Sequence, residues 1–285
     1  MFCKTLNKLR KAIDIAVISD THLGTYGCKA AELLQYLKSI KPEVLILNGD
    51  IIDGWQFSKS YFPEMHMKVI KEIFSHLSKG TKVYYLTGNH DDFLRKFSDF
   101  KLGNFYLKDK LLLPVGDKKA WIFHGDVFDL TMKSSLFWAK MGAKGFGILM
   151  ILNRFVNKIL SLIGKNKISL SKKALENMNK RIKLSSNFEE KVSLIATENA
   201  YDYVICGHIH IPEIKDLATK NGNVCYLNSG DWVENCTSLE YFDNHWRLYH
   251  YKKSDFENQP EPSDDKMISM NEFKAEIEMM LSFQN

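Results

Sequence analysis

Ile13-Asp14-Ile15-Ala16-Val17-Ile18-Ser19-Asp20-Thr21-His22 reads as an apolar, β-branched strand that stops on a short polar run holding a carboxylate and an imidazole. A strand buried on both faces is apolar without alternation, as Ile15 to Ile18 is. The pattern recurs outward along the chain. Glu43 to Asn48 runs into Gly49-Asp50-Ile51-Ile52-Asp53, Lys82 to Thr87 into Gly88-Asn89-His90-Asp91, Ala120 to His124 into Gly125-Asp126, and Tyr203 to Cys206 into Gly207-His208-Ile209-His210. A further strand-like run, Val224 to Asn228, ends at Ser229-Gly230-Asp231. Between the first three strands lie helical stretches, Ala30 to Ile40 and Pro63 to Lys79, the second opening on a proline as helix starts allow. Strand and helix in alternation argue for an α/β core with a largely parallel sheet. Ser238 to Phe242 and Trp246 to Tyr251, separated by a turn, add antiparallel pairing, so the expected body is a sandwich of sheets flanked by helices.

The polar residues fall where chemistry is expected. In open α/β sheets ligands bind beyond the carboxyl ends of the strands, and loops there converge. Asp20 and His22, two apart, point the same way from an extended segment, as do His208 and His210. Asp20, His22, Asp50, Asn89, His124, His208 and His210 make a mixed oxygen and nitrogen set, hard enough for Mn²⁺ or Fe²⁺ and acceptable to Zn²⁺ or Co²⁺. That is too many ligands for one ion, and a carboxylate can bridge two. The economical arrangement is a pair of divalent metals about 3.5 to 4 Å apart. Any one of these short motifs is as easily a turn or a surface histidine. Five in order, each at a strand end, argue for a dinuclear site.

Composition bounds the remaining classes. At 285 residues, with 45% hydrophobic and 26% charged residues and only 6 Pro and 16 Gly, the chain is a folded protein, neither disordered nor collagenous. Five cysteines without a C-x-x-C pair indicate neither a disulfide framework nor a thiolate zinc site, and fit a reducing compartment. The basic N-terminus precedes an apolar stretch too short for a signal sequence, and no uncharged run reaches the roughly 18 residues of a spanning helix. A cytoplasmic protein is expected, with peripheral contact on the inner face of the cytoplasmic membrane. That contact is suggested by charge: residues 131–191 hold 13 Lys or Arg against 3 Glu, a net of +10, while the rest of the chain carries −5. Such a basic segment suits phosphate or an anionic bilayer. Ile148, Leu152, Phe155, Ile159 and Leu162 recur within it at helical spacing opposite Arg154, Lys158 and Lys165, an amphipathic pattern that core packing explains equally well. Its aromatics share the apolar stripe instead of interleaving with the cations, so nucleic acid is disfavoured. Lys180, Lys183, Asn187 and Lys191, about one turn apart, are candidate substrate contacts, and solvated lysines explain the spacing as well. The expected organisation is a core of residues 1–126 and 196–252, a helical cap of 127–195, and a linker with a C-terminal helix over 253–285. No obligate protein partner is inferred.

The series D-x-H, G-D-x-x-D, G-N-H-D, a histidine closing a strand, and G-H-x-H resembles the calcineurin-like metallophosphoesterase superfamily over residues 13 to about 251. The resemblance implies a four-layer α-β-β-α sandwich with an inserted helical cap. It implies one metal on Asp20, His22, Asp50 and His210, and a second on Asp50, Asn89, His124 and His208, with Asp50 the bridge. His90 is then the histidine that meets the phosphoryl oxygen or leaving group, oriented by Asp91, and Asp53 stands behind the ligands. Asp50-Ile51-Ile52-Asp53-Gly54-Trp55, His124 to Asp129, the helical insert, and Asn228 to Glu234 further resemble the UDP-2,3-diacylglucosamine pyrophosphatase group. Those enzymes cut the diphosphate of a UDP-linked diacylated sugar in lipid A synthesis, usually with Mn²⁺. The alternative is a phosphodiesterase or phosphomonoesterase acting on another nucleotide or lipid head group. A binder with a metal site as mere scaffold is a third class. One departure stands out: the well-characterised pyrophosphatases of that group carry Arg where this chain has His90, whereas many sequences that share the other features have G-N-H-D, and a His can protonate a leaving group where an Arg holds phosphate through a permanent charge. Trp55 and Trp232 follow the site loops and are candidates to line the cleft, although a tryptophan buried in the core is the commoner case, while Asp231 is expected to shape a turn.

Overall fold

A computed structural model of the chain describes residues 10–55, 62–128 and 188–256. Two sheets carry the fold. The first comprises β1 (Lys11–Ile18), β2 (Ile40–Asn48), β3 (Lys82–Leu86), β4 (Lys101–Leu102), β5 (Phe105–Lys108), β11 (Thr237–Phe242) and β12 (His245–His250), in the order β12-β11-β1-β2-β3-β5-β4. The second comprises β6 (Lys110–Val115), β7 (Lys118–Phe123), β8 (Tyr203–Cys206), β9 (Glu213–Thr219) and β10 (Gly222–Asn228), in the order β6-β7-β8-β10-β9. β1, β2, β3 and β5 run parallel, as do β7, β8 and β10; the strands at the margins pair antiparallel. Helices α1 (Ala30–Ser39) and α2 (Glu64–Ser78) connect β1 to β2 and β2 to β3, and a third helix, α3 (188–198), precedes β8.

Three apolar layers separate these elements, which defines the four-layer α-β-β-α sandwich. Because side chains alternate across a strand, β1 sends Ala16 and Ile18 to one face and Ile15 and Val17 to the other. The first face joins Leu45 and Leu47 of β2 with Leu33, Leu37, Met65 and Val69 of the two helices. The second meets Leu111, Ala120, Ile122, Ile205 and Leu227 of the opposite sheet. On the far side of the second sheet, Phe188, Val192 and Ala196 of α3, four residues apart and so on one helical face, pack against Phe123, Val204 and Tyr226. Truncating any of the fully buried leucines to Ala would cost about 2–5 kcal/mol, since a close-packed interior cannot fill the void.

The helices and the first parallel strands fall within a few residues of their sequence-based positions. Pro63 sits at the N-cap of α2, where its missing N–H costs nothing. Four strands, β4, β5, β6 and β9, carry no clear sequence signal. Pro114 interrupts β6, which tolerates it as an edge strand. β9, Glu213-Ile214-Lys215-Asp216-Leu217-Ala218-Thr219, is an edge strand whose charged residues face solvent. The interval 127–195 drawn as a cap closes inside the core, because Phe188 and Val192 belong to the outer apolar layer. Residues 129–187 and 257–285, with the amphipathic stripe and the C-terminal helix expected there, lie outside the described residues. Among the described residues no helix is long and apolar enough to cross a membrane.

Candidate metal centre

Parallel strands place all their carboxyl ends at one edge, and here both sheets face the same way. β1, β2 and β3 hand over to Asp20 and His22, Asp50, and Asn89 and His90; β7 and β8 hand over to His124, and to His208 and His210. The chain turns sharply at each handover. Asp20, His22, Asp50, His208 and His210 all adopt left-handed backbone angles, with φ of +52°, +48°, +54°, +65° and +57°. A non-glycine residue there costs about 1 kcal/mol or more, and such strain gathers at functional sites.

Backbone bonds knit the loops together. Asp20 N–H donates to Gly49 O at 3.1 Å, His22 N–H to Asp50 O at 2.9 Å, and Gly207 N–H to His124 O at 2.9 Å. The two central carboxylates divide their oxygens. Asp50 Oδ1 accepts His90 N–H at 2.8 Å, which leaves Oδ2 at 3.3 Å from His124 Nε2, 3.9 Å from His90 Nε2 and 4.0 Å from His22 Nε2. Asp20 Oδ2 accepts His208 N–H at 3.0 Å, while Oδ1 lies 3.0 Å from His210 Nε2. Close approach explains two of the glycines: a Cβ at Gly88 would stand 2.3 Å from Asp50 Oδ1, and one at Gly207 2.5 Å from Asp20 Oδ2.

Ligand atoms of Asp20, His22 and His210 lie within 4.8 Å of one another, as do those of Asp50, His124 and His208, and those of His22, Asp53 and His90. His124 Nδ1 donates to Asn48 O at 2.9 Å, so Nε2 is the nitrogen turned to Asp50. Asp53 Oδ2 holds His90 Nδ1 at 2.8 Å and His22 Nδ1 at 3.3 Å. Fixing one ring nitrogen in this way orients the other for a ligand.

The electrostatics favour positive charge. Burial opposes ionisation of Asp20, yet His210 and His124 hold its pKa down at about 2. Burial likewise opposes charge on His210, but Asp20 lifts it to about 9, and Asp50 drives His124 well above its usual value in the same way. His124 and His210 thus take up protons where Asp50 and Asp20 call for cations. Asp20 Oδ1, Asn89 Oδ1 and His124 Nε2 are buried yet make no hydrogen bond. Buried polar atoms left without a partner are costly in a folded protein unless something satisfies them, and a divalent cation is suited to carboxylate and amide oxygen and, once its proton is displaced, to imidazole nitrogen. The residues fit metal binding.

The sequence profile of the calcineurin-like phosphoesterases matches residues 13–212. The chain belongs to that family. This calcineurin-like phosphoesterase is also 25% identical over 246 residues to a UDP-2,3-diacylglucosamine hydrolase of Aliivibrio fischeri (strain MJ11), covering 85% of this chain and 99% of the relative. A UDP-2,3-diacylglucosamine hydrolase of Wigglesworthia glossinidia brevipalpis is 26% identical over 231 residues, with 78% and 88% covered. Among solved structures it is similar to Yfce, a phosphoesterase from E. coli, at 14% identity and a TM-score of 0.40, covering 84% of this chain and 99% of that one.

The phosphoesterase departs from the sequence reading at several side chains. Asp91 does not orient the His90 ring: its Oδ2 accepts Ile51 N–H at 2.9 Å and the Tyr85 hydroxyl at 2.7 Å, and its Oδ1 accepts Gly88 N–H at 2.6 Å. It braces the loops from beneath, and Asp53 takes the role expected of it. Trp232 is fully buried beside Tyr36 and lines no cleft, whereas the Trp55 ring lies 4.0 Å from that of His90. Asp231 shapes a turn, accepting Val233 and Glu234 N–H. Lys180, Lys183 and Asn187 lie outside the described residues; Lys191 is exposed on α3. Sequence reasoning missed Arg95, whose Nη2 donates to Asp126 Oδ2 at 3.0 Å. A lone arginine in a lysine-bearing loop offers no signal of such a bond.

Proposed function

We propose that this chain hydrolyses the diphosphate of UDP-2,3-diacylglucosamine, in lipid A synthesis, to UMP and the acylated sugar 1-phosphate, using two divalent cations, most favourably Mn²⁺. The observation that carries the reading is the adjacency of two Asp/His groups, Asp20-His22-His210 and Asp50-His124-His208, with Asp50 Oδ2 facing imidazoles delivered by both sheets. The nucleotide-sugar lipid is suggested by the relatives, which align along nearly their whole length. Asp20, His22, Asp50 and His210 would hold one ion, and Asp50, Asn89, His124 and His208 the other. Bound there, such a pair would acidify water toward neutral pH and offset charge on the phosphoryl oxygens. Hydrolysis forms one P–O bond to the water oxygen and breaks one P–O bond of the diphosphate bridge. His90, pinned through Nδ1 by Asp53, presents Nε2 to the departing phosphate oxygen and gives it a proton. Trp55 lies against the ring and limits its rotation. Lys180, Lys183, Asn187 and Lys191 would meet the substrate from the segment before and at the start of α3, and the basic stretch 131–191 would hold the enzyme to the anionic inner face of the membrane.

His90, standing where the pyrophosphatase group carries Arg, favours keeping a second reading: a phosphodiesterase or phosphomonoesterase on another nucleotide or lipid head group. One panel separates them. Metal-stripped enzyme reloaded with Mn²⁺ should release UMP from UDP-2,3-diacylglucosamine far faster than it cleaves bis-para-nitrophenyl phosphate or a cyclic nucleotide. Turnover of the latter with none of the former would overturn the substrate while leaving the reaction class standing.

A further inference from the structure

Arg95 lies in the 3-10 turn after β3, and its guanidinium is where three segments meet. Nη2 donates to Asp126 Oδ2 at 3.0 Å and to the Thr87 carbonyl at 3.5 Å; Nε donates to Thr87 Oγ1 at 3.3 Å and lies 3.5 Å from Asp109 Oδ1. Thr87 Oγ1 in turn donates to Asp109 Oδ1 at 2.6 Å. Each partner occupies a particular place in the topology. Thr87 directly follows β3 and precedes Gly88-Asn89; Asp126 stands two residues beyond His124; Asp109 is the single residue between β5 of the first sheet and β6 of the second. The Asp126 side chain is 8% exposed and that of Arg95 35%, so the bond is shielded from water on the Asp126 side. A planar guanidinium holds a carbonyl, a hydroxyl and carboxylates with donors in fixed directions, a fork that a freely rotating ammonium group lacks.

We propose that Arg95 is a positioning residue that sets the separation between Asn89, delivered by the first sheet, and His124, delivered by the second, and thereby the affinity of one metal position of the two. The inference rests on the dinuclear reading above. Asn89 and His124 belong to the same position in that reading. Asp20, His22 and His210 hang from β1 and β8, which Arg95 does not touch. Loosening the seam between the sheets at Arg95 therefore weakens one position, whereas a general loss of stability would weaken both.

The test is equilibrium dialysis of the metal-stripped full chain against Mn²⁺, with metal content by elemental analysis and thermal unfolding by circular dichroism. The unaltered protein should hold two ions per chain. Arg95→Ala should keep one at unchanged affinity and bind the other about 10–100-fold more weakly, the usual effect of removing a group that orients a ligand. Asp126→Asn should do the same, and the two changes together should cost no more than either alone, because both break one link. Arg95→Lys, which restores the bond to Asp126 but not the fork to Thr87, should fall between. In turnover, the Mn²⁺ concentration for half-activation should rise while kcat at saturating Mn²⁺ recovers. Two ions at unchanged affinity in Arg95→Ala, or equal weakening at both positions, would overturn the proposal. If Arg95→Ala does not fold, Asp126→Asn and Arg95→Lys carry the same test. If the unaltered chain holds fewer than two ions, the dinuclear reading fails and this inference falls with it.

Discussion

His124 and His90 approach the same oxygen of Asp50, at 3.3 and 3.9 Å, from opposite sheets and under different restraint. His124 has no exposed side-chain surface and is tied through Nδ1 to a backbone carbonyl, that of Asn48. His90 is 17% exposed, stands beside Trp55 and is tied to a carboxylate, Asp53, which it shares with His22. A carbonyl anchor belongs to the strand and moves only with it. A carboxylate anchor is a side chain, so it can be altered alone, and altering it disturbs both rings it holds. The His124 side of the centre is thus built into the seam of the sandwich, and the His90 side is built onto a loop that can face substrate. Asp50 is the element common to both.

The most severe way to break the comparison is to remove what the two sides share. Asp50→Asn keeps the side-chain volume but discards the charge that faces three imidazoles. Mn²⁺ binding measured by dialysis should fall at both positions together, and turnover by at least about 10³-fold. Loss of only one ion would show that Asp50 does not stand between them.

His90→Ala should separate the two sides. If this ring delivers a proton and holds no metal, turnover should drop by about 10²–10⁴-fold while the protein still binds two ions. Departure of an ion on this substitution would make His90 a ligand and dissolve the distinction drawn from its neighbours.

Asp53→Asn tests the anchor itself. One change should loosen His90 and His22 at once, lowering Mn²⁺ affinity by about 10–100-fold at the position served by His22 and leaving the one served by His124 as it was. Equal weakening of both would mean that the loops are not independently held. This carboxylate was legible in the sequence as the last residue of Gly49-Asp50-Ile51-Ile52-Asp53, although its work on two rings was not. The strands that carry the site were legible for a related reason. β1, β2, β3, β7 and β8 are buried on both faces, so their apolar runs stand out and the polar residue that ends each one marks the rim. β6 and β9 were hidden because edge strands mix exposed and buried positions, as Leu112 and Lys215 show. Anchors made by main-chain atoms were also beyond reach. The Asn48 carbonyl that fixes His124, and the Gly54 N–H that donates to His90 O at 2.8 Å, leave no trace in residue type. The direction of Asp91 was misjudged for a similar cause: adjacency to His90 suggested contact, but the turn sends its carboxylate to Ile51, Tyr85 and Gly88.

A third imidazole sharpens the comparison from outside the centre and carries the smallest effect. His76 on α2 is buried with Nε2 3.0 Å from the Leu37 carbonyl and 3.8 Å from Glu72 Oε1. Burial outweighs these neighbours and lowers its pKa below 6.5, the opposite of what carboxylates do to His124 and His210. The folded protein therefore resists protonating His76 where the unfolded chain accepts a proton, so stability holds above about pH 6.5 and declines as the pH falls below it. His76→Gln keeps an N–H donor for Leu37 O and should flatten the acid side of a melting-temperature profile, by no more than the roughly 1.4 kcal/mol per pH unit that one proton allows. An unchanged slope would mean that the carbonyl and Glu72 together compensate burial at His76. In that case a carbonyl anchor joined by a carboxylate at 3.8 Å would already offset burial at His76, and the higher proton affinity of His124 would reflect the closer approach of Asp50, at 3.3 Å.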